Sequence, residues 1–209
     1  MDASELHLDH SRLSGDRLDE AALVALRAFY TDPFFVHLAP RPRQRNRGLF
    51  LFFRTAMAHL GPQGKIVTVR DGAERIVGVS AWIAPGGYPQ PIATQLASVP
   101  GSLRALYRRP RSMIDGQSYL TAIAKAHPKE PHWYLYILAA DPEAQRRGVG
   151  SMLLGDRIPE IDAAGVASYL ETQKLDNIAY YRRFGYESTA TLSPVAGGPP
   201  VYTMWRPAR

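Results

Sequence analysis

The chain has 209 residues, 45% of them hydrophobic, a formal charge of +6 and no cysteine. That length and apolar fraction suit one domain with a sizeable core. No apolar run approaches the ~20 residues of a membrane span, and without cysteine there are no disulfides, thiolate metal sites or cysteine nucleophile. The start, MDASELHLDHSRLSGD, lacks the basic-then-apolar order of a secretory signal, so a soluble cytoplasmic protein is expected. Arginines cluster at positions 41, 43, 45 and 47 and again at 104, 108, 109 and 111. Neither cluster carries a known recognition motif, which points to solvated surface and away from nucleic acid.

Residues 5–13 carry a weak strand pattern. Leu18 to Tyr30 reads as an amphipathic helix, with Leu18, Ala22, Leu23, Leu26 and Phe29 on one face and Asp16 or Asp19 as its cap. Asp32-Pro33 stops it. A Pro- and Arg-rich connector, Ala39 to Arg47, leads to a second helix from Leu49 to Leu60, ended by Gly61-Pro62. Its aromatic stripe suits a core face. Lys65 to Arg70 and Arg75 to Ala84 alternate as strands, joined by a hairpin turn at Asp71-Gly72. After a Pro/Gly-rich loop, residues 92–131 look helical, divided by Pro100 and Pro110. An insert of that length between strands of one sheet suits a lid or acceptor wall.

The stretch from Leu138 to Leu154, LAADPEAQRRGVGSMLL, organises the rest. An apolar run from Trp133 to Ala140 has the two-sided character of a central strand. Asp141-Pro142 ends it, because proline offers no N–H to the ladder. Gly148 and Gly150 allow a sharp turn, and a helix begins at Val149. The product is a helix N-terminus, which carries about half a positive charge and suits a phosphate, flanked by Arg146 and Arg147. The dinucleotide and Walker patterns do not fit: Leu153 stands where a third glycine belongs, and no Gly-Lys-Ser/Thr follows. That helix runs to about residue 164 with Pro159 inside it, which should kink it, and Gly165 ends it. Val166 to Thr172 is a strand. Asp176 or Asn177 caps a short helix to Phe184, and Gly185 terminates it. Tyr186 to Leu192 and Val201 to Trp205 form the last pair of strands.

The loop Gln145-Arg146-Arg147-Gly148-Val149-Gly150 resembles the coenzyme A loop of the GNAT superfamily of N-acetyltransferases. The segment Leu170-Glu171-Thr172 to Asn177, Tyr181, Gly185 and Tyr186 resembles a second motif of that superfamily. Within it, WYLYILAADP, YLET and Asn-x-x-x-Tyr are most similar to the puromycin N-acetyltransferase group. The resemblance implies an α/β (α+β) fold: a mixed, mostly antiparallel sheet flanked by helices, with a V-shaped splay between its two central parallel strands. It implies one domain, 1–209, with a helical insert at about 92–131.

It also implies acetyl-CoA as cosubstrate. The backbone of Leu138, Ala139 and Ala140 would pair with the pantetheine arm, and Gln145, Arg146, Arg147, Gly148, Val149, Gly150 and Ser151 would cradle the pyrophosphate. Position 140 is Ala where the family usually has Val, but only its backbone is used. Asn177 would touch coenzyme A and Tyr181 would protonate the departing thiolate. The general base is open: Glu171 is the first candidate, with His132, Tyr134 and Tyr136 as rivals. The six histidines show no metal-ligand spacing, so no metal is expected.

The expected activity is acetyl transfer from acetyl-CoA directly to a primary amine, of a small molecule. The alternatives are a non-catalytic acyl-CoA-binding protein and a protein N-acetyltransferase. The expected partner is a small-molecule amine, with no nucleic acid and no membrane, in a monomer or homodimer.

Overall fold

The computed structural model describes residues 5–60, 64–88 and 110–209. Among these, seven strands form one sheet in the order β1-β2-β3-β4-β5-β7-β6. Strands β1 (His7–Asp9), β2 (Gly64–Arg70), β3 (Ile76–Ile83) and β4 (His132–Ala140) pair antiparallel in succession. Strand β4 pairs parallel with β5 (Ala167–Thr172), and β5, β7 (Val201–Arg206) and β6 (Glu187–Leu192) complete the sheet antiparallel. The mixed, mostly antiparallel sheet expected from the sequence is present.

Helices cover both faces. On one face lie α1 (Gly15–Phe29) and α3 (Pro42–Ala58). Ala21, Ala22, Val24 and Ala25 of α1 are fully buried, and their small side chains let the helix approach Val79, Ala81 and Ile83 closely. Phe53 of α3 packs between Phe29 and Phe35. A buried side chain the size of Val24 or Phe53 contributes about 1.5–3 kcal/mol. On the other face lie α5 (Val149–Ala163) and α6 (Asp176–Arg182), over Trp82, Trp133, Leu135, Leu170 and Met204. The short α2 (Pro33–Leu38) and the insert helix α4 (Pro110–Ala126) pack on each other beside the first face.

Several boundaries differ from the sequence reading. The first strand is only His7–Asp9. Helix α1 is capped at Ser14 without a side-chain hydrogen bond, and Asp19 instead pairs with Arg54 at 2.6 Å. The expected connector at 39–47 is mostly helix: α3 starts at Pro42, whose missing N–H costs nothing at the first helical position. Arg45 from that stretch is buried, donates to the Ala39 carbonyl at 3.0 Å and lies over the Tyr30 ring, so it is not solvated surface. The β2–β3 turn spans Asp71 to Arg75, with the Asp71 carboxylate accepting from the N–H groups of Ala73 and Arg75. The residues expected to end α3 at Gly61-Pro62, and the insert up to residue 109, lie outside the described residues.

Helix α5 continues through Pro159 to Ala163. Gly165, at φ 62, ends it in the left-handed region, where glycine has no Cβ penalty. Its C-terminal end is held by β7. The guanidinium of Arg206, 1% exposed, donates to both carboxylate oxygens of Asp162 at 2.5 and 2.7 Å and to the Phe184 carbonyl at 2.8 Å.

The β1 edge is held by charge. The hydroxyl and amide of Ser11, and then the Arg70 guanidinium, hold the Asp9 carboxyl down to about 2. A depressed folded value stabilises above the unfolded carboxylate range and is lost as pH falls through the folded one. Acid titration followed by amide exchange on β1 is therefore expected to show the β1–β2 pairing opening between about pH 4 and pH 2, earlier in Arg70→Met.

Candidate active site

The site is built where the sheet stops being a sheet. Strands β4 and β5 pair only from His132 opposite Ala167 to Tyr134 opposite Tyr169. Beyond that point β4 runs on to Ala140 and β5 to Thr172 with no pairing between them, so the two strands diverge as a V. A local irregularity accompanies the opening. Ala81 of β3 faces Ile137 and Trp82 faces Leu135, so Tyr136 is an extra residue in β4. As a result Tyr136 and Ile137 both pack toward the α1/α3 side, while Leu135 and Leu138 pack toward the α5/α6 side. Leu138, Ala139 and Ala140 are paired to β3 on one edge and face the opening with the other.

The loop after β4 is pinned at its start and open beyond. The Asp141 N–H donates to the Val77 carbonyl at 2.9 Å, and its carboxylate accepts from the Glu143 N–H at 3.1 Å and from Arg27 of α1 at 2.7 Å. The Gln145 side chain donates to the Ala140 carbonyl at 3.4 Å. Gln145, Arg146, Arg147 and Gly148 are all exposed. Arg146 takes φ 62, an uncommon conformation for a non-glycine residue.

Gly148, at φ 86, caps α5 with no side-chain hydrogen bond, and open space surrounds the position of its absent Cβ. The first intrahelical bond runs from the Met152 N–H to the Gly148 carbonyl at 2.9 Å. The N–H groups of Val149, Gly150 and Ser151 therefore lack intrahelical partners. Gly78 lets this helix start seat on the sheet, since a Cβ there would meet Val149 Cγ1 at 2.2 Å. A diphosphate fits such an end: three unpaired donors, a positive helix terminus and two exposed guanidinium groups.

The sequence reading favours Tyr181 over its neighbour Tyr180, one helix position round, yet it is Tyr180 that lies against this helix start. Its hydroxyl is buried without a hydrogen bond and lies 2.6 Å from where a Gly150 Cβ would be. It approaches Ser151 but does not reach hydrogen-bond geometry. Its neighbour Tyr181 turns into the apolar cluster with Leu135, Leu154 and Leu170, its ring 5.9 Å from Tyr186. Burial first, then Tyr180 and Tyr186, push the Tyr181 phenol above its ordinary range. Asn177 neither caps α6, whose cap is Leu175, nor lies free. Its amide donates to Thr172 Oγ1 at 2.9 Å, tying α6 to the end of β5.

Glu171 sits on the opposite face of β5, in the mouth of the V. It accepts from the Tyr134 hydroxyl at 2.6 Å. Burial first, then Glu171, push the Tyr134 phenol well up, and Tyr136 is pushed up to about 12 by burial and Tyr88, then Glu171. These two rivals for the base thus hold their protons, and Tyr134 serves as a donor to the carboxylate. His132, the third rival, is turned away from the opening: its Nδ1 lies 2.6 Å from the Glu130 carbonyl. The structure therefore brings the loop residues and Tyr180 together, and Glu171 with Tyr134. Tyr181 lies in the apolar cluster that Tyr180 and Leu138 also pack against, on the other side of the sheet from Tyr134 and Glu171.

A central parallel pair that splays beside an uncapped, arginine-flanked helix start defines the GNAT acetyltransferase fold. Comparison with known proteins agrees at that level. Residues 114–188 match the family model described as "Acetyltransferase (GNAT) domain". The structure is similar to one from Corynebacterium glutamicum described as histone acetyltransferase HPA2 and related acetyltransferase. The TM-score is 0.71 at 27% identity, covering 98% of this chain and 97% of that one. The ribosomal-protein-S18-alanine N-acetyltransferase of Escherichia coli shares the fold at TM-score 0.56 and 16% identity, over 97% of this chain and 93% of its own. A mosquito arylalkylamine N-acetyltransferase like 5b does so at 0.54 and 15%, over 97% and 99%. The chain thus has the GNAT fold, and its residues 114–188 are similar to the GNAT acetyltransferase family. Among the described residues no helix is long and apolar enough to cross a membrane.

Proposed function

We propose that this chain transfers an acetyl group from acetyl-CoA directly to a primary amine of a small molecule, as one domain whose helical insert walls the acceptor side. The observation that carries this reading is the splay itself. Beyond the last β4–β5 pair, β4 runs on toward the open helix start at 148–151 while β5 carries the buried carboxylate of Glu171. Acetyl-CoA supplies the activated acyl group when bound. The N–H groups of Val149, Gly150 and Ser151, with Arg146 and Arg147, hold its diphosphate, while Leu138, Ala139 and Ala140 present the free edge of β4 to its arm. Glu171 receives and holds the cationic nitrogen of the acceptor. Tyr181 holds a hydroxyl proton for the departing sulfur.

The raised Tyr181 phenol is a weaker acid than a thiol, so its contribution is a hydrogen bond to the leaving sulfur rather than complete early protonation. The small-molecule acceptor is supported by the aromatic enclosure of Glu171, where Tyr88, Tyr134 and the His127 ring meet edge to face or stacked. The motif similarity to the puromycin N-acetyltransferase group points the same way.

Titration calorimetry with coenzyme A, followed by a thiol-release screen over alkyl, arylalkyl and peptide α-amines, tests the reading. Saturable uptake and turnover of a small amine are expected. Absence of coenzyme A binding would overturn the reading, and turnover confined to peptides would move the acceptor to a protein terminus.

A further inference from the structure

Glu171 is a buried carboxylate with no lysine or arginine ion pair among the described residues. Its side chain is 7% exposed, and its only ion-pair partner among the described residues is His127 Nδ1, at 3.8 Å, itself 7% exposed. That separation is too long for a direct hydrogen bond. Both Glu171 Oε1 and His127 Nδ1 are buried without a hydrogen-bond partner. Buried polar atoms are ordinarily satisfied, so two orphans facing one another need a reason.

The surrounding hydrogen bonds decide what the two atoms are. The Glu130 carbonyl, 2.6 Å from His132 Nδ1, can only accept, so His132 carries its proton on Nδ1. Burial lowers the pKa of His132, which keeps it neutral. Its Nε2 is then a lone pair, and His127 Nε2, 3.1 Å away, must donate to it. A neutral His127 is thereby left with its lone pair on Nδ1, aimed at Glu171 Oε1. On the far side, the Tyr134 hydroxyl already fills Oε2. The Tyr169 hydroxyl approaches the same carboxylate without reaching hydrogen-bond geometry.

Two acceptors thus face one another with no donor in hydrogen-bond geometry to either, inside aromatic walls: Tyr88 stacks on His127 at 3.8 Å, and Tyr134 and Tyr169 meet it edge-on at 5.0 and 4.9 Å. A carboxylate and a lone pair among ring faces recognise a cation that donates hydrogen bonds.

Resting on the acetyl-transfer reading above, we infer that His127, brought by the C-terminal end of the insert helix, completes an ammonium site with Glu171. A protonated primary amine donates one N–H to Glu171 Oε1 and a second to His127 Nδ1. The N–H bond to His127 breaks and its proton becomes the Nδ1 proton of an imidazolium, leaving the nitrogen lone pair free to attack. The charge is shared with His132 through the Nε2–H to Nε2 hydrogen bond and is balanced by Glu171.

The test uses the full-length protein, 15N-labelled at histidine, with methylammonium, benzylammonium and 2-phenylethylammonium as probes. Imidazole nitrogen spectra at neutral pH are expected to show His132 protonated on Nδ1 and His127 on Nε2. At least one of the three ammonium ions should shift His127 Nδ1 in the wild type and not in Glu171→Gln. A resting His127 that is protonated on Nδ1, or no shift with any probe, would overturn the proposal and leave a plain ion pair.

Kinetically, His127→Asn should lose 10²-fold or more in kcat/KM for a turned-over amine and lose the rising limb of its pH profile. Its coenzyme A affinity should stay within twofold of wild type, whereas a drop in coenzyme A affinity with an unchanged pH limb would also count against it. Failure of coenzyme A binding in the wild type, by contrast, sinks the acetyl-transfer reading while leaving the tautomer and ammonium result to stand or fall by itself.

Discussion

Changing Tyr181 to Phe should lower kcat about 100-fold while leaving coenzyme A affinity within about twofold. The phenyl ring keeps the contacts with Leu135, Leu154, Leu170 and Tyr186, so the fold of α6 is retained. What is lost is one hydroxyl. Among the described residues no group hydrogen-bonds to the Tyr181 hydroxyl, unlike Tyr186, which bonds Ser168 at 2.8 Å. Removing it therefore leaves no buried partner unsatisfied and should cost little stability. The magnitude sits at the lower end of general-acid effects because burial raises this phenol, so the proton is shared with sulfur late and incompletely. Pre-steady-state thiol release separates this from a binding defect. Tyr180→Phe is the matched control on the same helix. If Tyr180→Phe loses turnover and Tyr181→Phe does not, the two tyrosines exchange roles, since Tyr180 lies against Gly150 at the helix start.

The second large effect should come from Arg206→Met, with a loss of roughly 3 kcal/mol in unfolding free energy. Arg206 joins three elements: β7, the α5 end through Asp162, and the α6–β6 turn through the Phe184 carbonyl. Breaking a buried pair by removing one partner costs about 3–5 kcal/mol. The Asp162 side chain is 30% exposed, so water can reach it and the lower end applies. For a chain of this size the melting temperature should fall by about 6–12 °C. The pH dependence gives a second reading. The Arg206 guanidinium holds the Asp162 carboxyl below its usual range. That stabilisation is present above the unfolded carboxylate pKa of about 4 and fades as pH falls through the lower folded value. Denaturant curves of wild type and variant should therefore converge as pH falls below the ordinary carboxylate range. A constant gap would show that packing, rather than the ion pair, carries the loss. Because the same arginine fixes the turn after α6, turnover should also fall below the level expected from stability alone.

Much of this molecule was legible in its residues. Apolar alternation placed β2 and β3, the two-sided run from Trp133 to Ala140 marked the central strand, and Gly148, Gly165 and Gly185 marked turns whose φ values of 86, 62 and 86 need glycine. Those signals are local: periodicity, proline, glycine and charge act over a few residues. The open helix start with its two arginines was read the same way.

What only the tertiary structure decided is long-range. The extra residue at Tyr136 shifts the strand's alternation, and nothing in YLYILAA announces which position is unpaired until Ala81 and Trp82 are set opposite. Arg45 and Arg206 look like surface charge in the sequence and are buried in the fold, because distant carbonyls and a carboxylate satisfy them. The meeting of His127, on the insert, with Glu171, on β5, depends on how a helix packs across the sheet, which no spacing in the chain encodes. The sequence by itself determined that a helix start suited to phosphate follows a central strand. The fold alone determined which buried acceptors face one another across the slot.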